Sequence, residues 1–301
     1  MNKKIKICIM VCTCLIVVGG CLAGIGLMLG ATGSVDMNRF AFHLGGGDTP
    51  FSIGAEEADH LYKLSGEVVT DSKEISQPIQ VIKTNIGLGG VKIVASDKSE
   101  VVYTYDKGLG KPDINVSDGT LTIEDKFGKQ HINFSKKMKN KNGIEYIICC
   151  PEGTTLQLVQ VENSLGYIDI SGIKTETLDL KLSAGEVKLA DVEAGDLKAD
   201  VTLGDLKTEN LRTEALDLNC DAGDITAAGT LKGKSNFTAD LGDIEIKTTL
   251  KKEEYSFDLD TQLGDVTVEG NQSGRSSLTD NSAENYLKVK TTAGDISIDF
   301  D

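Results

Sequence analysis

Carboxylates recur at a constant interval in the second half of the sequence. Asp205, Asp224 and Asp243 are evenly spaced along the chain, and each follows a glycine directly. If the repeats stack as neighbouring strands, these carboxylates lie about 4.8 Å apart, and like charges at that distance repel one another. Calcium binds carboxylate and carbonyl oxygens, so a calcium ladder at these three residues is one interpretation. The other is that each aspartate caps its own turn and faces water, which leaves no metal site.

Other chemistry is sparse in the sequence. The three histidines, His43, His60 and His131, lie beside no nucleophile motif, and the hydrolase-elbow, zincin and P-loop motifs are missing. Polysaccharide-cleaving enzymes need paired carboxylates in a groove and aromatic sugar platforms, whereas this chain has no Trp and 5% aromatic residues. We therefore expect no enzyme, no catalytic residues and no cofactor. A polysaccharide-acting enzyme is the least favoured alternative.

The elements that hold these aspartates are marked by glycines. Five glycines follow one another at one constant interval, and two more follow at longer intervals. They are Gly166, Gly185, Gly204, Gly223, Gly242, Gly264 and Gly294. A fixed period near 20 is typical of stacked coils. We expect each glycine to form a structural corner, with a positive φ or a close backbone approach.

Apolar residues alternate on both sides of each glycine. The residue two positions later is apolar in every unit, as in Val187 and Ile225, and a second alternating set includes Leu178, Leu180 and Leu182. Period-2 alternation indicates a strand with one buried face. Each unit is therefore predicted to contain two short strands joined by two turns, and stacked units would bury a continuous core. The regular repeats span residues 165–301.

Strand signals begin near Pro78, upstream of the regular repeats. Residues 90–94 and 101–105 predict one hairpin, and residues 114–116 and 121–123 predict another. The basic run at 136–143 is interpreted as a solvated loop tip, with contact to an acidic wall polymer as the alternative.

The N-terminal region predicts an exported protein. The stretch from Ile7 to Leu29 carries no charge, and three lysines precede it. This pattern favours a single transmembrane helix with the N-terminus in the cytoplasm and the C-terminal domain outside. Lipid attachment at Cys21 and cleavage of a signal peptide remain open. The predicted organisation is a cytoplasmic tip and anchor at 1–30, a flexible stalk at 31–77 and a β-repeat domain at 78–301.

Charge and cysteine usage narrow the class of protein further. The chain has 46 acidic and 31 basic residues, a net charge of −15, which argues against nucleic-acid binding. Outside the apolar N-terminal stretch the cysteines are Cys149, Cys150 and Cys220. An odd and small number of cysteines does not indicate a disulfide scaffold. Cys220 falls in an apolar column and predicts a buried free thiol. Cys149 and Cys150 should face opposite sides of a strand.

The order of these signals resembles a known family. Cys150-Pro151-Glu152-Gly153, the apolar segment 156–161 and the serial Gly-Asp-Ile units are similar to the bacterial family named "putative adhesin", over about residues 78–300. The resemblance implies a right-handed β-helix or β-roll-like solenoid with short coils of one repeat each, no cofactor and membrane anchoring in Gram-positive bacteria.

We therefore expect a cell-surface, membrane-anchored and non-enzymatic binding or adhesion module. Its ligand would be an unknown protein or glycan. The alternative is an envelope-stress or signalling accessory that acts through a membrane partner.

Overall fold

Strands and their short connections build the fold. The computed structural model describes residues 65, 67–125 and 143–301. The strands of these residues are β1 Val68–Glu74, β2 Val81–Ile86, β3 Gly89–Ser96, β4 Glu100–Asp106, β5 Asp113–Ser117, β6 Thr120–Glu124, β7 Glu145–Pro151, β8 Thr155–Ser171, β9 Lys174–Ala190, β10 Glu193–Leu203, β11 Leu206–Ala222, β12 Ile225–Leu241, β13 Ile244–Thr248, β14 Tyr255–Leu263, β15 Val266–Val268, β16 Asn271–Gln272, β17 Ser276–Thr279, β18 Asn285–Ala293 and β19 Ile296–Phe300. The expected all-β, solenoid-like class is confirmed.

Helix is nearly missing from the described residues. They contain a single 3₁₀ turn at Lys252–Glu254 and nothing helical with the length and apolarity that crossing a membrane requires. The predicted transmembrane helix at 7–29, with Cys21, lies outside the described residues. The three histidines and nearly all of the basic run at 136–143 lie outside them as well.

Parallel strands stack into rungs, each one coil of the solenoid. In spatial order, rungs 1 to 9 are β6 with β7, β2 with β3, β8, β9, residues 193–209, residues 212–228, residues 231–248, β18 with β19, and β14 with β15. Between rungs 3 and 5 each residue pairs with its equivalent one repeat later, as Leu178 does with Leu197. The predicted period is therefore the rung-to-rung register.

Each regular coil has three straight segments instead of the predicted two. In rung 4, residues 173–175, 177–184 and 187–190 are separated by breaks at Glu176 and Gly185. The pairing skips Glu176 on one strand and Gly195 on the other, so the register is kept and Gly195 lies at one break. The short segment was missed because two inward positions, such as Ile173 and Thr175, are too few to show a period.

The rungs do not follow one another in chain order at either end of the stack. Rung 2 precedes rung 1 in the sequence, and rung 8 follows rung 9. In the sequence Gly264 is the next corner glycine after Gly242, but in the stack Gly294 lies between these two glycines.

Antiparallel strands cover the outer rungs. β4 and β5 pair with rung 1, and β16 and β17 pair with rung 9. These strands occupy edges that would otherwise template further strand addition.

Two predictions about the first part of the domain are wrong. β3 and β4 do not form a hairpin, because β7 lies between them and pairs with both. The stalk predicted at 31–77 includes β1, which pairs with β4 along its whole length. Ser65 is also tied to the domain, since its backbone N–H donates to Asp106 Oδ1 at 2.8 Å. The 114–116 and 121–123 hairpin is confirmed as β5 with β6.

The core is one continuous cluster of apolar side chains that runs the length of the stack, and each inward position of a rung contributes one column to it. Leu180, Val187 and Leu189 of rung 4 have no solvent exposure, and the same columns continue in the other rungs. Full burial of such a side chain contributes about 1.5–3 kcal/mol. Larger side chains fill the last rung, where Tyr255 and Phe257 are buried.

Candidate binding groove

The predicted aspartates form a continuous row along one corner. In spatial order the row contains Asp205, Asp224, Asp243, Asp295 and Asp265. From Asp224 onward, the backbone N–H of each aspartate donates to Oδ1 of the aspartate on the preceding rung, at 3.2, 2.8, 2.7 and 2.8 Å. The expected cap within the residue's own turn is therefore corrected, because the carboxylate binds the next rung.

In each carboxylate that accepts such a bond, one oxygen is therefore already hydrogen-bonded to the backbone of the next rung. An ionised acceptor makes these bonds stronger than neutral ones, which offsets part of the repulsion between neighbouring carboxylates. Across 67–125 and 143–301, no group of three or more His, Cys, Asp or Glu is placed to hold a metal ion. The calcium ladder at Asp205, Asp224 and Asp243 stays a prediction.

The glycine beside each aspartate forms the corner itself. Gly166, Gly185, Gly204, Gly223, Gly242, Gly264 and Gly294 all have φ between +127° and +156°. A Cβ on Gly185 or Gly204 would lie 1.6 Å from the carbonyl oxygen of the glycine on the preceding rung. Glycine is therefore required here by both its conformation and the close approach of the next backbone.

The first corner departs from this pattern for a structural reason. Rung 2 carries Gly90 and rung 3 carries Tyr167 where rungs 4 to 9 carry an acidic residue, so rung 2 offers no carboxylate to rung 3. The Tyr167 ring lies against Gly90, and its hydroxyl donates to Glu145 on rung 1. Burial and this bond both raise the pKa of Tyr167.

A groove of about 300 Å³ opens along a different corner of rungs 1 to 6. Its turns are formed by Gly153, Gly172, Asp191 and Asn210, with φ of 74°, 68°, 54° and 51°. These residues are evenly spaced in the sequence and are the types that tolerate the left-handed region. The turn geometry brings the side chains of Asp191 and Asn210 together at the rim, where Asn210 Nδ2 donates to Asp191 Oδ1 at 2.6 Å.

The floor of the groove is apolar. Cys150, Leu156 and Val192 line it and are 4%, 2% and 1% exposed. Burial raises the pKa of the Cys150 thiol to about 12, so this thiol stays protonated and behaves as part of the apolar surface.

Three charged side chains in register form the second rim. Lys174, Glu193 and Arg212 occupy equivalent positions on rungs 4, 5 and 6. Lys174 Nζ donates to Glu193 Oε1 at 2.6 Å. Within the described parts of the chain, the exposed guanidinium of Arg212 forms neither an ion pair nor a hydrogen bond.

The groove therefore combines an uncommitted cation, hydrogen-bond acceptors and an apolar floor. The sequence analysis did not single out any of these residues as a binding site. A signal existed, because Arg212 stands in the column of Lys174 and Glu193, and arginine occurs in this chain only as Arg39, Arg212 and Arg275.

The other cysteines lie where the sequence placed them. Cys220 is 2% exposed and its Sγ donates to the Gly204 carbonyl at 3.1 Å, so the prediction of a buried free thiol is confirmed. Burial is the main cause that raises the pKa of Cys220 to about 11. Cys149 is partly exposed and Cys150 is buried, which confirms that they face opposite sides of β7.

The stacked parallel rungs with antiparallel caps define the class as a capped β-solenoid. Residues 81–276 and 226–299 match the family described as Toastrack DUF4097. The matched segments cover most of the chain, which belongs to this family. No protein in the curated set matches the chain.

Several crystal structures are similar to the chain at low sequence identity. A putative adhesin from Bacteroides fragilis is 16% identical, with 79% of this chain and 99% of that chain covered and a TM-score of 0.42. A putative cell adhesion protein from Clostridium sporogenes is 18% identical, with coverage of 78% and 100% and a TM-score of 0.39. A putative lipid binding protein from Parabacteroides distasonis is 15% identical, with coverage of 79% and 98% and a TM-score of 0.34.

Proposed function

We propose that this protein is a non-enzymatic binding module of the bacterial cell surface and that its ligand binds in the groove of rungs 1 to 6. The observation that carries the proposal is the Arg212 guanidinium, which lacks a partner in the described residues and lies beside a buried apolar floor. A charged side chain without a protein partner is able to orient a ligand in a surface groove, because a few polar groups fix a ligand's orientation.

The surface location is the second part of the proposal. It is supported by the charge-free stretch from Ile7 to Leu29, which would hold residues 31–301 outside the membrane. A stack of rungs joined by parallel ladders is stiff, and a stiff stack outside the membrane would present the groove to a protein or glycan partner. The absence of a cofactor and of a reaction is part of the same proposal.

The test uses bacteria that produce the full-length chain and a host strain that lacks it. Attachment of both strains is measured on immobilised polysaccharides and proteins, and antibody labelling of intact cells reports surface exposure. We expect the producing strain to be labelled and to attach to at least one ligand. Attachment equal to that of the host strain on every ligand, or labelling only after the cells are opened, would contradict the proposal.

A charge-exchange pair locates the binding site. In the double variant Lys174→Glu with Glu193→Lys, the ion pair at the groove is kept but reversed, so the fold keeps its contact. The matched control exchanges Glu162 and Lys181, whose ion pair spans neighbouring rungs outside the groove. We expect the first exchange to abolish attachment and the second to leave it unchanged. Replacement of residues 1–30 by an unrelated anchor should also preserve attachment, whereas a loss would favour a signalling accessory.

A further inference from the structure

We infer that β1 is a strap that peels away from β4 before any rung unfolds when the chain upstream of Ser65 is pulled, and that Asp106 is the clasp that holds this strap closed. The strap goes beyond the proposed function, because it concerns how the domain is joined to the preceding chain and not what the groove binds. Only the source of the pull, a membrane anchor on one side and a bound ligand on the other, rests on the proposed surface location.

β1 is held to the domain with little burial. Val68 and Val69 are half-buried and every later residue of the strand is exposed, whereas β2 has three buried positions. Among the described residues β1 pairs with β4 alone. A strand with a single ladder and few buried side chains opens more easily than the core, because regions with few buried apolar contacts have the lowest free energies of local opening.

The side chains that fasten the middle of β1 are polar. Asp71 Oδ2 accepts from Lys111 Nζ at 2.7 Å and from the Tyr103 hydroxyl at 3.0 Å. Lys73 Nζ donates to the Ile114 carbonyl at 2.5 Å. About half of each side chain in the Asp71–Lys111 ion pair is exposed, and an exposed pair contributes little to stability because water screens it.

The upstream end of β1 is fastened more firmly. Asp106, the last residue of β4, has no solvent exposure. Its Oδ1 accepts from the backbone N–H and the hydroxyl of Ser65 at 2.8 and 2.9 Å, and from the Gly108 N–H at 2.7 Å. Beside it, Lys107 donates its backbone N–H to the Glu67 carbonyl and its Nζ to Glu67 Oε2, both at 2.9 Å. Hydrogen bonds to an ionised acceptor are stronger than neutral ones, so this end resists opening more than the rest of the strand.

A pull on the upstream chain reaches the clasp first. Ser65 precedes β1, and Val68 pairs with Asp106, so the ladder would open one residue pair after another from this end. The peeling would stop at Ile75, which is 7% exposed. Beyond it, β2 pairs on both sides, with β6 and with β8. The rungs therefore keep their contacts while the strap is open.

Hydrogen exchange of the full-length protein in detergent micelles, followed by mass spectrometry, measures the opening. We expect the amides of β1 to exchange about a hundredfold faster than those of β9, or more. Asp106→Asn weakens the clasp, and Ser65→Pro removes both of the Ser65 donors from outside the strands. Each variant should speed exchange in β1 about tenfold or more and leave β9 unchanged. Asp240→Asn, at an exposed carboxylate on rung 7, is the matched control and should exchange as the parent protein does.

A disulfide that locks the strap identifies it under force. The hydroxyls of Thr70 and Thr104 are 3.1 Å apart across the ladder, and opposite positions of antiparallel strands lie within reach of a disulfide. In an optical trap, the full-length protein is pulled by its N-terminus and by Asp301. We expect a first reversible transition below the force that unfolds the rungs. This transition should be absent from oxidised Thr70→Cys with Thr104→Cys, return on reduction, and occur at lower force in Ser65→Pro.

Four results would overturn the inference. They are exchange in β1 as slow as in β9, no change of β1 exchange in either clasp variant, equal acceleration of β1 and β9 in both clasp variants, and a first transition that survives the oxidised disulfide. The third result would make Asp106 a support of the whole solenoid. Absence of cell labelling or of attachment contradicts the proposed function instead, and it leaves the exchange and pulling results of the purified protein unaffected.

Discussion

A single methyl group at Gly204 should destabilise the solenoid far more than the same methyl group at Gly153. Both glycines have positive φ, at +127° and +74°. A Cβ on Gly204 would lie 1.6 Å from the Gly185 carbonyl oxygen, whereas a Cβ on Gly153 would meet no atom within 4 Å. The pair therefore compares a strained corner packed against the next rung with a left-handed turn in open space.

The magnitude follows from the geometry of the corner. Real Cβ atoms hardly ever come within 3.0 Å of another heavy atom, so the rungs must open until the 1.6 Å separation has nearly doubled. Such an opening breaks the bond that Val187 N–H donates to the Asp205 carbonyl at 2.9 Å between the same two rungs. With overpacking and the strained φ added, we expect Gly204→Ala to cost about 4 kcal/mol or more. Gly153→Ala should cost about 1 kcal/mol.

Urea unfolding of the full-length protein, followed by circular dichroism, measures both values. The expected difference of about 3 kcal/mol would appear as a large shift in the midpoint of unfolding for Gly204→Ala only. Equal midpoints for the two variants, both close to that of the parent protein, would refute the reasoning, because they would mean that the rungs can separate at the corner without loss. An equal but large loss in both variants would show that φ alone sets the cost.

Three further predictions concern the corner row, the ridge beside it and a buried thiol. Asp224→Asn keeps an oxygen that accepts the Asp243 N–H and should change stability by less than about 0.5 kcal/mol, whereas Asp224→Ala should cost about 1 kcal/mol by urea unfolding. Ala293→Leu places a third large side chain between Leu241 and Leu263 and should cost about 1–3 kcal/mol, while Leu263→Ala at the outer rung should cost less. Because burial raises the pKa of Cys220 to about 11, this thiol should resist alkylation at pH 8 until the protein unfolds, as measured by mass spectrometry of the peptide that contains it. The contribution of the protonated Cys220 thiol to the free energy of unfolding is complete below the ordinary thiol pKa and is lost as the pH rises towards about 11.

The interior of the regular coils could be predicted from the sequence because one physical rule governs it. Inward positions alternate with period 2, and rungs one repeat apart superpose the same column, so Leu178 and Leu197 pair directly. The same rule placed Cys220 in the core. Burial leaves a strong pattern because every rung repeats the same constraint.

The groove could not be predicted in the same way. Arg212 faces outward, where the repeat does not fix the residue type. Asp191 and Asn210 do recur at the repeat interval, but that spacing reflects their left-handed turns and not a binding role. Their proximity depends on the left-handed turns, which lie between the periodic segments. The first hairpin failed for a related reason, since local turn signals at 96–99 cannot reveal that β7, which comes much later in the chain, enters between β3 and β4.

The exchange of the last two rungs does have a trace in the sequence. The residue before each corner glycine is half-buried in most rungs and is either leucine or alanine. In chain order the alternation breaks, because Leu241 is followed by Leu263 and then by Ala293. In spatial order it is complete from rung 3 to rung 9, where the ridge reads Leu165, Ala184, Leu203, Ala222, Leu241, Ala293, Leu263. Only at rung 2 do two leucines meet, because Leu88 precedes Gly89 and lies beside Leu165.

Strand spacing explains why this alternation carries information. Neighbouring rungs are about 4.8 Å apart, and leucine side chains stacked at every rung of a bent corner would compete for the same space, whereas a leucine beside an alanine can spread over it. Stacking rung 9 directly on rung 7 would place Leu263 against Leu241, and inserting rung 8 places Ala293 between them. The alternation of leucine and alanine at this ridge thus favours the observed order of rungs 7 to 9 over the chain order.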